Sequence, residues 1–337
     1  MKTQLLVATI DSDYAEHLSN ILSEYHSDVI DVSVCGTPEY LKEQLLTRKY
    51  DIALLDAAMI EEGSLASIRL PLALWSENEH SSEIPDGIKR IRKYRRISSM
   101  VGEVLELYAK GLKSVSGAGS KRARVTAVWS PMGGVVKTTA ALAYAERKTS
   151  EGKQALYLDL QPFSSVSAYF ADSGRSISSV FEMIETEEGD VGMLIRSIWQ
   201  QDSESGITYF CRPENFDDMN IIAPENISVL VDACSEMTDE LVIDLSGSCD
   251  ERTRTVLDLA DKVLLVTDSS LIAQIKFSQF VSQNNVFERI KEKTILVANK
   301  GAAFSKSLVD AVVHLPLVQS TDSATVFKTL STISFEV

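Results

Sequence analysis

No two of the four cysteines, Cys35, Cys211, Cys234 and Cys249, stand at C-x-x-C spacing. That argues against a zinc site or a disulfide framework and fits reduced thiols in a cytoplasm. A run of ~18 apolar residues is missing too, so no segment is expected to span a bilayer. Met1-Lys2-Thr3-Gln4 leads only into a short apolar stretch, which is not a signal-peptide pattern. The last residues, Ile333 to Val337, make neither a lipidation box nor a basic amphipathic helix. Positive charge is in deficit: 33 Lys and Arg against 48 Asp and Glu leave a net charge of −15. Such a chain repels phosphate backbones on average, which argues against strong nucleic-acid binding. Internal repeats are not apparent.

What is present is an ordinary globular composition, 45% hydrophobic and 24% charged. At 337 residues the chain exceeds one core of ~100–200 residues, so two domains are expected. The first part alternates strand-like and helix-like patterns. Leu5 to Ile10 is an apolar run, and Tyr14, Leu18, Ile21 and Leu22 follow at helical spacing. Val29 to Val34 alternates as a strand does. Pro38 suits the first position of a helix that carries Leu41, Leu45 and Leu46. Ile52 to Leu55, Leu70 to Trp75 and Ile88 to Tyr94 read as further strands, and Met100 to Tyr108 as a helix. This alternation predicts a parallel, doubly wound sheet. Gly111 to Ser120 is rich in Gly and Ser and reads as a linker. The expected division is therefore 1–110, a linker at 111–122, and a second domain over 123–337.

The second domain restarts as strand, glycine loop and helix: Val125–Trp129, Ser130–Val136 and Lys137–Arg147. Strands are further expected at Ala155–Leu160, Leu241–Leu245, Lys262–Thr267 and Thr294–Ala298, all short apolar runs suited to burial on both faces. The loop Ser130-Pro131-Met132-Gly133-Gly134-Val135-Val136-Lys137-Thr138-Thr139 lies where strand hands over to helix. Successive backbone N–H groups and the helix N-terminus favour a polyphosphate there. The expected ligand is ATP or ADP with Mg²⁺: Lys137 would reach the β-phosphate, and the γ-phosphate where there is one, and the Thr138 hydroxyl would ligate Mg²⁺.

This loop resembles the deviant Walker A loop of the MinD/ParA family, usually K-G-G-V-G-K-T-T. Tyr157-Leu158-Asp159-Leu160-Gln161-Pro162 resembles the family's switch I strand. Val242-Ile243-Asp244-Leu245 resembles its Walker B strand, which implies that Asp244 holds Mg²⁺ through water. Val297-Ala298-Asn299-Lys300 and Leu315-Pro316 resemble the segments that flank adenine. Asp244 alone could be an ordinary strand-end polar residue, and Asn299-Lys300 an ordinary loop. Found together and in family order, these segments imply a nucleotide site of Gly133, Gly134, Val135, Val136, Lys137, Thr138, Thr139, Asn299, Lys300 and Pro316. Three residues depart from the pattern. Met132 replaces the signature lysine that reaches a partner subunit's nucleotide. Val136 replaces a glycine, although a β-branched residue disfavours positive φ. Gln161 replaces the carboxylate that positions attacking water, and an amide cannot take a proton as a carboxylate does. Weak nucleotide binding and little or no hydrolysis are expected.

The first domain resembles a response-regulator receiver, of flavodoxin-like fold. The resemblance implies an acidic pocket at Asp11, a phospho-acceptor at Asp56, a switch hydroxyl at Ser76 and a closing lysine at Lys93. Receivers carry two adjacent acids after the first strand, whereas Ile10 stands at one of those positions here. An inert domain with polar strand ends is the favoured reading, because an incomplete acidic cluster binds Mg²⁺ poorly. An atypical receiver, a linker and a deviant MinD/ParA domain together resemble the TadZ/CpaE family. That resemblance implies a homodimeric, cytoplasmic factor concentrated at a cell pole near the inner membrane. Its expected role is to help assemble a Flp (tight-adherence) pilus with partners such as the secretion ATPase. Two alternatives remain open: a ParA-type ATPase that positions DNA or other cargo, and a response regulator that uses Asp56.

Overall fold

A computed structural model describes residues 2–25, 27, 30–60, 64–76, 84–85, 88–110, 122–187, 189–300, 302, 309, 311–320 and 322–335. The chain divides into two compact units, Met1–Lys113 and Ser114–Val337. Apart from Arg122, the Gly- and Ser-rich stretch expected as a linker lies outside the described residues.

In the first unit, β1 (Thr3–Ala8), β2 (Ile30–Cys35), β3 (Tyr50–Asp56), β4 (Ile68–Trp75) and β5 (Lys89–Arg92) form one parallel sheet in the order β2-β1-β3-β4-β5. This is the flavodoxin-like doubly wound order. Helices α1 (Ser12–Tyr25), α2 (Pro38–Thr47) and α3 (Ile97–Lys110) accompany it. Buried positions on α1 are Tyr14, Ala15, Leu18 and Leu22, the stripe that faces a core. Thr37 caps α2 by accepting the Tyr40 N–H at 3.3 Å, and Pro38 opens that helix. Pro71 lies within β4, and β5 pairs only with Leu72 to Trp75. The proline therefore sits where β4 has β3 alone for a neighbour, so its missing N–H costs no ladder bond to β5. Between β3 and β4 the described residues form only short 3₁₀ turns, Ala57–Met59 and Ser64–Ser67.

The second unit holds an eight-stranded sheet ordered β13-β12-β11-β6-β10-β7-β9-β8. Its strands are β6 (Arg124–Trp129), β7 (Ala155–Leu160), β8 (Gln200–Gln201), β9 (Thr208–Tyr209), β10 (Glu240–Leu245), β11 (Lys262–Thr267), β12 (Thr294–Ala298) and β13 (Ala311–His314). Every pairing is parallel except β8 with β9. Strands β7, β10 and β11 are buried at every position, as a sheet covered on both faces requires. The helices are α4 (Lys137–Ser150), α5 (Ser178–Thr186), α6 (Val191–Ile198), α7 (Asp218–Ile221), α8 (Pro224–Ser235), α9 (Glu251–Leu259), α10 (Leu271–Val281), α11 (Asn284–Ile290) and α12 (Ser323–Leu330). Helix α4 is buried continuously from Thr139 to Ala145. Its alanines let it lie close between the sheet and α12. No described helix is long and apolar enough to cross a membrane.

Candidate nucleotide site

The site lies at the carboxyl ends of β6, β10 and β7, where an open α/β sheet places its ligands. Strand register aligns Asp244 of β10 with Asp159 of β7 on one side and Val128 of β6 on the other. The loop after β6 therefore starts at the level of both carboxylates.

Within the loop, Gly134 takes φ 71° and Val136 takes φ 69°, ψ 36°. The left-handed conformation costs an L-residue with a Cβ about 1–2 kcal/mol. Val136 thus adopts the backbone that its missing glycine would supply, and α4 starts immediately after it. Lys137 does not extend outward: its Nζ donates to the Met132 carbonyl at 3.5 Å. Burial pushes its pKa down, partly countered by the charge of Asp244. Met132 is buried at 2% exposure, with its Sδ near the Thr267 hydroxyl at 3.7 Å. The side chain at the signature position is thus packed into its own subunit.

Gln161 joins the remaining elements. Its Nε2 donates to the Thr138 hydroxyl at 3.1 Å and to Asp244 Oδ2 at 2.7 Å. The Tyr157 hydroxyl donates to the same Asp244 oxygen at 3.0 Å. Asp159 Oδ1 accepts the Gln161 backbone N–H at 3.0 Å. Asp244 Oδ1 and Asp159 Oδ2 are buried with no hydrogen-bond partner. Burial raises the Asp159 pKa to about 6. Burial, and then the charge of Asp159, raises that of Asp244 to about 7.

These residues can be tested against Mg²⁺. A hydroxyl and two buried carboxylates, each with one unpartnered oxygen, are hard oxygen donors of the kind this cation takes. Yet an N–H donor already engages both the Thr138 hydroxyl and the Asp244 carboxylate. As arranged, the residues do not fit the metal.

The other expected site residues are brought near the loop in part. Gly133 and Gly134 are exposed and Val135 is buried. Thr139 pairs its hydroxyl with that of Tyr169 at 2.9 Å. Asn299 is buried and donates from Nδ2 to the Val135 carbonyl at 3.1 Å, which ties the end of β12 to the loop. Lys300, at φ 56°, reaches Asp268 at 2.7 Å. Pro316 is exposed, one residue after Leu315, whose N–H binds the Ala298 carbonyl at 2.8 Å. Sequence reasoning gave no role to Tyr157 or Tyr169. A period of two along β7 puts Tyr157, Asp159 and Gln161 on one side, a signal that could have found the first.

In the first unit, Asp56 is enclosed. Its Oδ2 accepts the Thr9 hydroxyl at 2.6 Å and the Ile10 N–H at 3.1 Å. Its Oδ1 pairs with Lys93 Nζ at 2.5 Å, and both residues are under 5% exposed. Thr9, which the sequence reading did not single out, thus faces Asp56. Asp11 is engaged elsewhere. It accepts the Tyr14 N–H at 3.0 Å as the cap of α1, and the Tyr94 hydroxyl at 2.6 Å. The latter bond lowers its pKa most. Ser76 follows β4 directly and is half-buried. Among the described residues no group of three His, Cys, Asp or Glu side chains could hold a metal.

No protein-family model and no curated protein matches the chain. Solved structures do. A ParA family ATPase from Chlorobium tepidum TLS aligns with a TM-score of 0.51 at 18% identity, over 62% of this chain and 90% of its own. A plasmid partition protein from Borrelia burgdorferi gives 0.49 at 14% identity, over 63% and 97%. The septum site-determining protein MinD from Pyrococcus horikoshii OT3, complexed with Mg-ADP, gives 0.47 at 11%, over 62% and 94%. The likeness is one of fold. Over 62% of its length the chain shares the α/β fold of the Chlorobium protein, and more than a third of it lies outside that alignment.

Proposed function

We propose that the chain is a nucleotide-binding localisation factor of the TadZ/CpaE kind. In this reading it serves as a dimeric platform for assembly of a Flp (tight-adherence) pilus, with the secretion ATPase among its partners, at a cell pole. It acts by binding rather than by turnover. The observation that carries the reading is Gln161, whose amide engages Thr138 and Asp244 while strands β7 and β10 beneath are buried at every position. The positions that would do chemistry are altered and the scaffold that would present a surface is kept. Losing a positioned base and a cross-subunit cation removes two electrostatic contributions, and a single one can be worth ~10²–10³ in rate.

The ParA-like sheet order favours a second reading, a cycling ATPase that positions DNA or other cargo. Phosphate release by the purified chain separates the two. Negligible release is expected; steady release abolished by Lys137→Ala would establish the cycling enzyme. A tagged copy in the native host tests the role itself. Polar foci and loss of pili on gene deletion are expected, and diffuse signal with unchanged pili refutes the assignment.

A further inference from the structure

Two atoms that a P-loop offers to a divalent cation, Thr138 Oγ1 and Asp244 Oδ2, are here bound to a side chain of the same chain, while Asp244 Oδ1 has no hydrogen-bond partner. Gln161 Nε2 stands 3.1 Å from Thr138 Oγ1 and 2.7 Å from Asp244 Oδ2. The orientation of the amide follows from chemistry. An ionised carboxylate only accepts, so with Asp244 charged, turning the carbonyl oxygen towards it would set two acceptors against each other at hydrogen-bond distance. In that form the nitrogen faces Asp244, as the structure has it, and its second hydrogen serves Thr138.

The surroundings hold the amide in place. Asp159 Oδ1 accepts the backbone N–H of Gln161 itself at 3.0 Å, which fixes the chain just after β7. Pro162 follows, and its ring restricts the backbone of Gln161. Tyr157, completely buried, donates to the Asp244 oxygen that Gln161 also holds. Asp244 is 0% exposed. A carboxylate removed from water needs compensation, either a cation or hydrogen-bond donors. Here Asp244 Oδ2 accepts from two donors, and the charge of Lys137 acts on the same carboxylate. An amide nitrogen has no lone pair to give a metal, so it competes with the cation rather than completing its shell.

We propose that Gln161 is a built-in occupant of the cation position, which shuts divalent metal out of the Thr138–Asp244 pair and lets the loop hold a nucleoside diphosphate without one. The second clause rests on the nucleotide reading above; the first does not. The geometry is a plug made of one side chain, held by β7, closing a site formed by α4 and β10.

Two experiments on the full chain test it. In the first, Mn²⁺ is titrated into metal-stripped protein and followed by electron paramagnetic resonance. Gln161→Glu keeps the shape of the side chain and exchanges the donor for a ligand. The variant is expected to bind Mn²⁺ about tenfold more tightly than the wild type. Equal binding by the two, whether tight or absent, overturns the plug. If the glutamate variant fails to fold by circular dichroism, Gln161→Ala, which removes the amide altogether, is read in the same way. In the second, ADP binding is measured by calorimetry in Mg²⁺ and in EDTA. Equal affinity is expected for the wild type, and about tenfold tightening by Mg²⁺ for Gln161→Ala. Tightening of that size in the wild type overturns the proposal. Absence of ADP heat in every titration counts against the nucleotide reading, and the Mn²⁺ result then decides the plug alone.

Discussion

Val136 and Asp56 are two residues whose surroundings set measurable penalties. At φ 69°, Val136 occupies a region that glycine enters without steric cost. Val136→Gly is expected to stabilise the protein by about 1 kcal/mol. It should also tighten ADP several-fold, because the loop N–H groups are then freed from a crowding side chain; thermal melting and calorimetry measure the two effects. An unchanged melting temperature would mean that the loop bears no strain. Asp56 and Lys93 are buried together. Removing one partner leaves the other charge uncompensated, so Asp56→Ala should cost about 3 kcal/mol in a urea melt. The double variant Asp56→Leu/Lys93→Met should recover most of that. The enclosure also bears on phosphorylation. One carboxylate oxygen of Asp56 accepts two hydrogen bonds and the other is ion-paired with Lys93, and among the described residues no second acid bonds to it. Acetyl phosphate with Mg²⁺ is therefore expected to add no phosphate by intact mass.

At the scale of elements, the ends of β7 and β10 hold two carboxylates side by side, Asp159 and Asp244. Their folded pKa values, about 6 and about 7, lie above those of an unfolded carboxylate. Between pH ~4 and ~7 the folded chain keeps protons that the unfolded chain has released. Stability in EDTA should therefore be highest below that window and fall as pH rises through it. Asp244→Asn should flatten the fall; a melting temperature that rises from pH 5 to 7 in the wild type contradicts it. These same strands show what the sequence makes legible. Strands β6, β7, β10, β11 and β12 each stand out as an apolar run, because burial on both faces demands one. Strands β8, at the sheet's edge, and β9, beside it, have two residues each, so no periodicity can build up. Strand β13, at the other edge, ends in an exposed histidine. In the site, the residue types at Met132, Val136 and Gln161 were readable as departures. Their consequences were not. The reach of Gln161 to Thr138 and Asp244 depends on the register of β7 against β10, and the burial of Met132 on the path of the loop. The role of Thr9 was hidden because the receiver resemblance places the adjacent acids at positions 10 and 11, whereas the hydroxyl that meets Asp56 stands one residue earlier.

For the molecule as a whole, the buried Met132 changes what an association between two copies can rest on. Side-chain contact across a nucleotide from this position is unavailable, so a dimer has to form without it. Light scattering of the full chain at tens of micromolar is expected to give a dimer with or without ATP and Mg²⁺. A monomer under both conditions would remove the platform from the proposed function while leaving the fold untouched. The net charge of −15 adds a salt dependence: like-charged copies repel, so the dimer should tighten as ionic strength rises.

The left-handed valine has a further consequence, in the language of codons. Every valine codon is GUN and every glycine codon GGN, so a single base change turns one into the other at Val136. The strained loop is thus separated from the relaxed one by the smallest step that mutation can take. A library of single-base variants, sorted for thermal resistance, should carry that step near the top. Sorted instead for function in the native host, the same library shows whether the cell has a use for the strain.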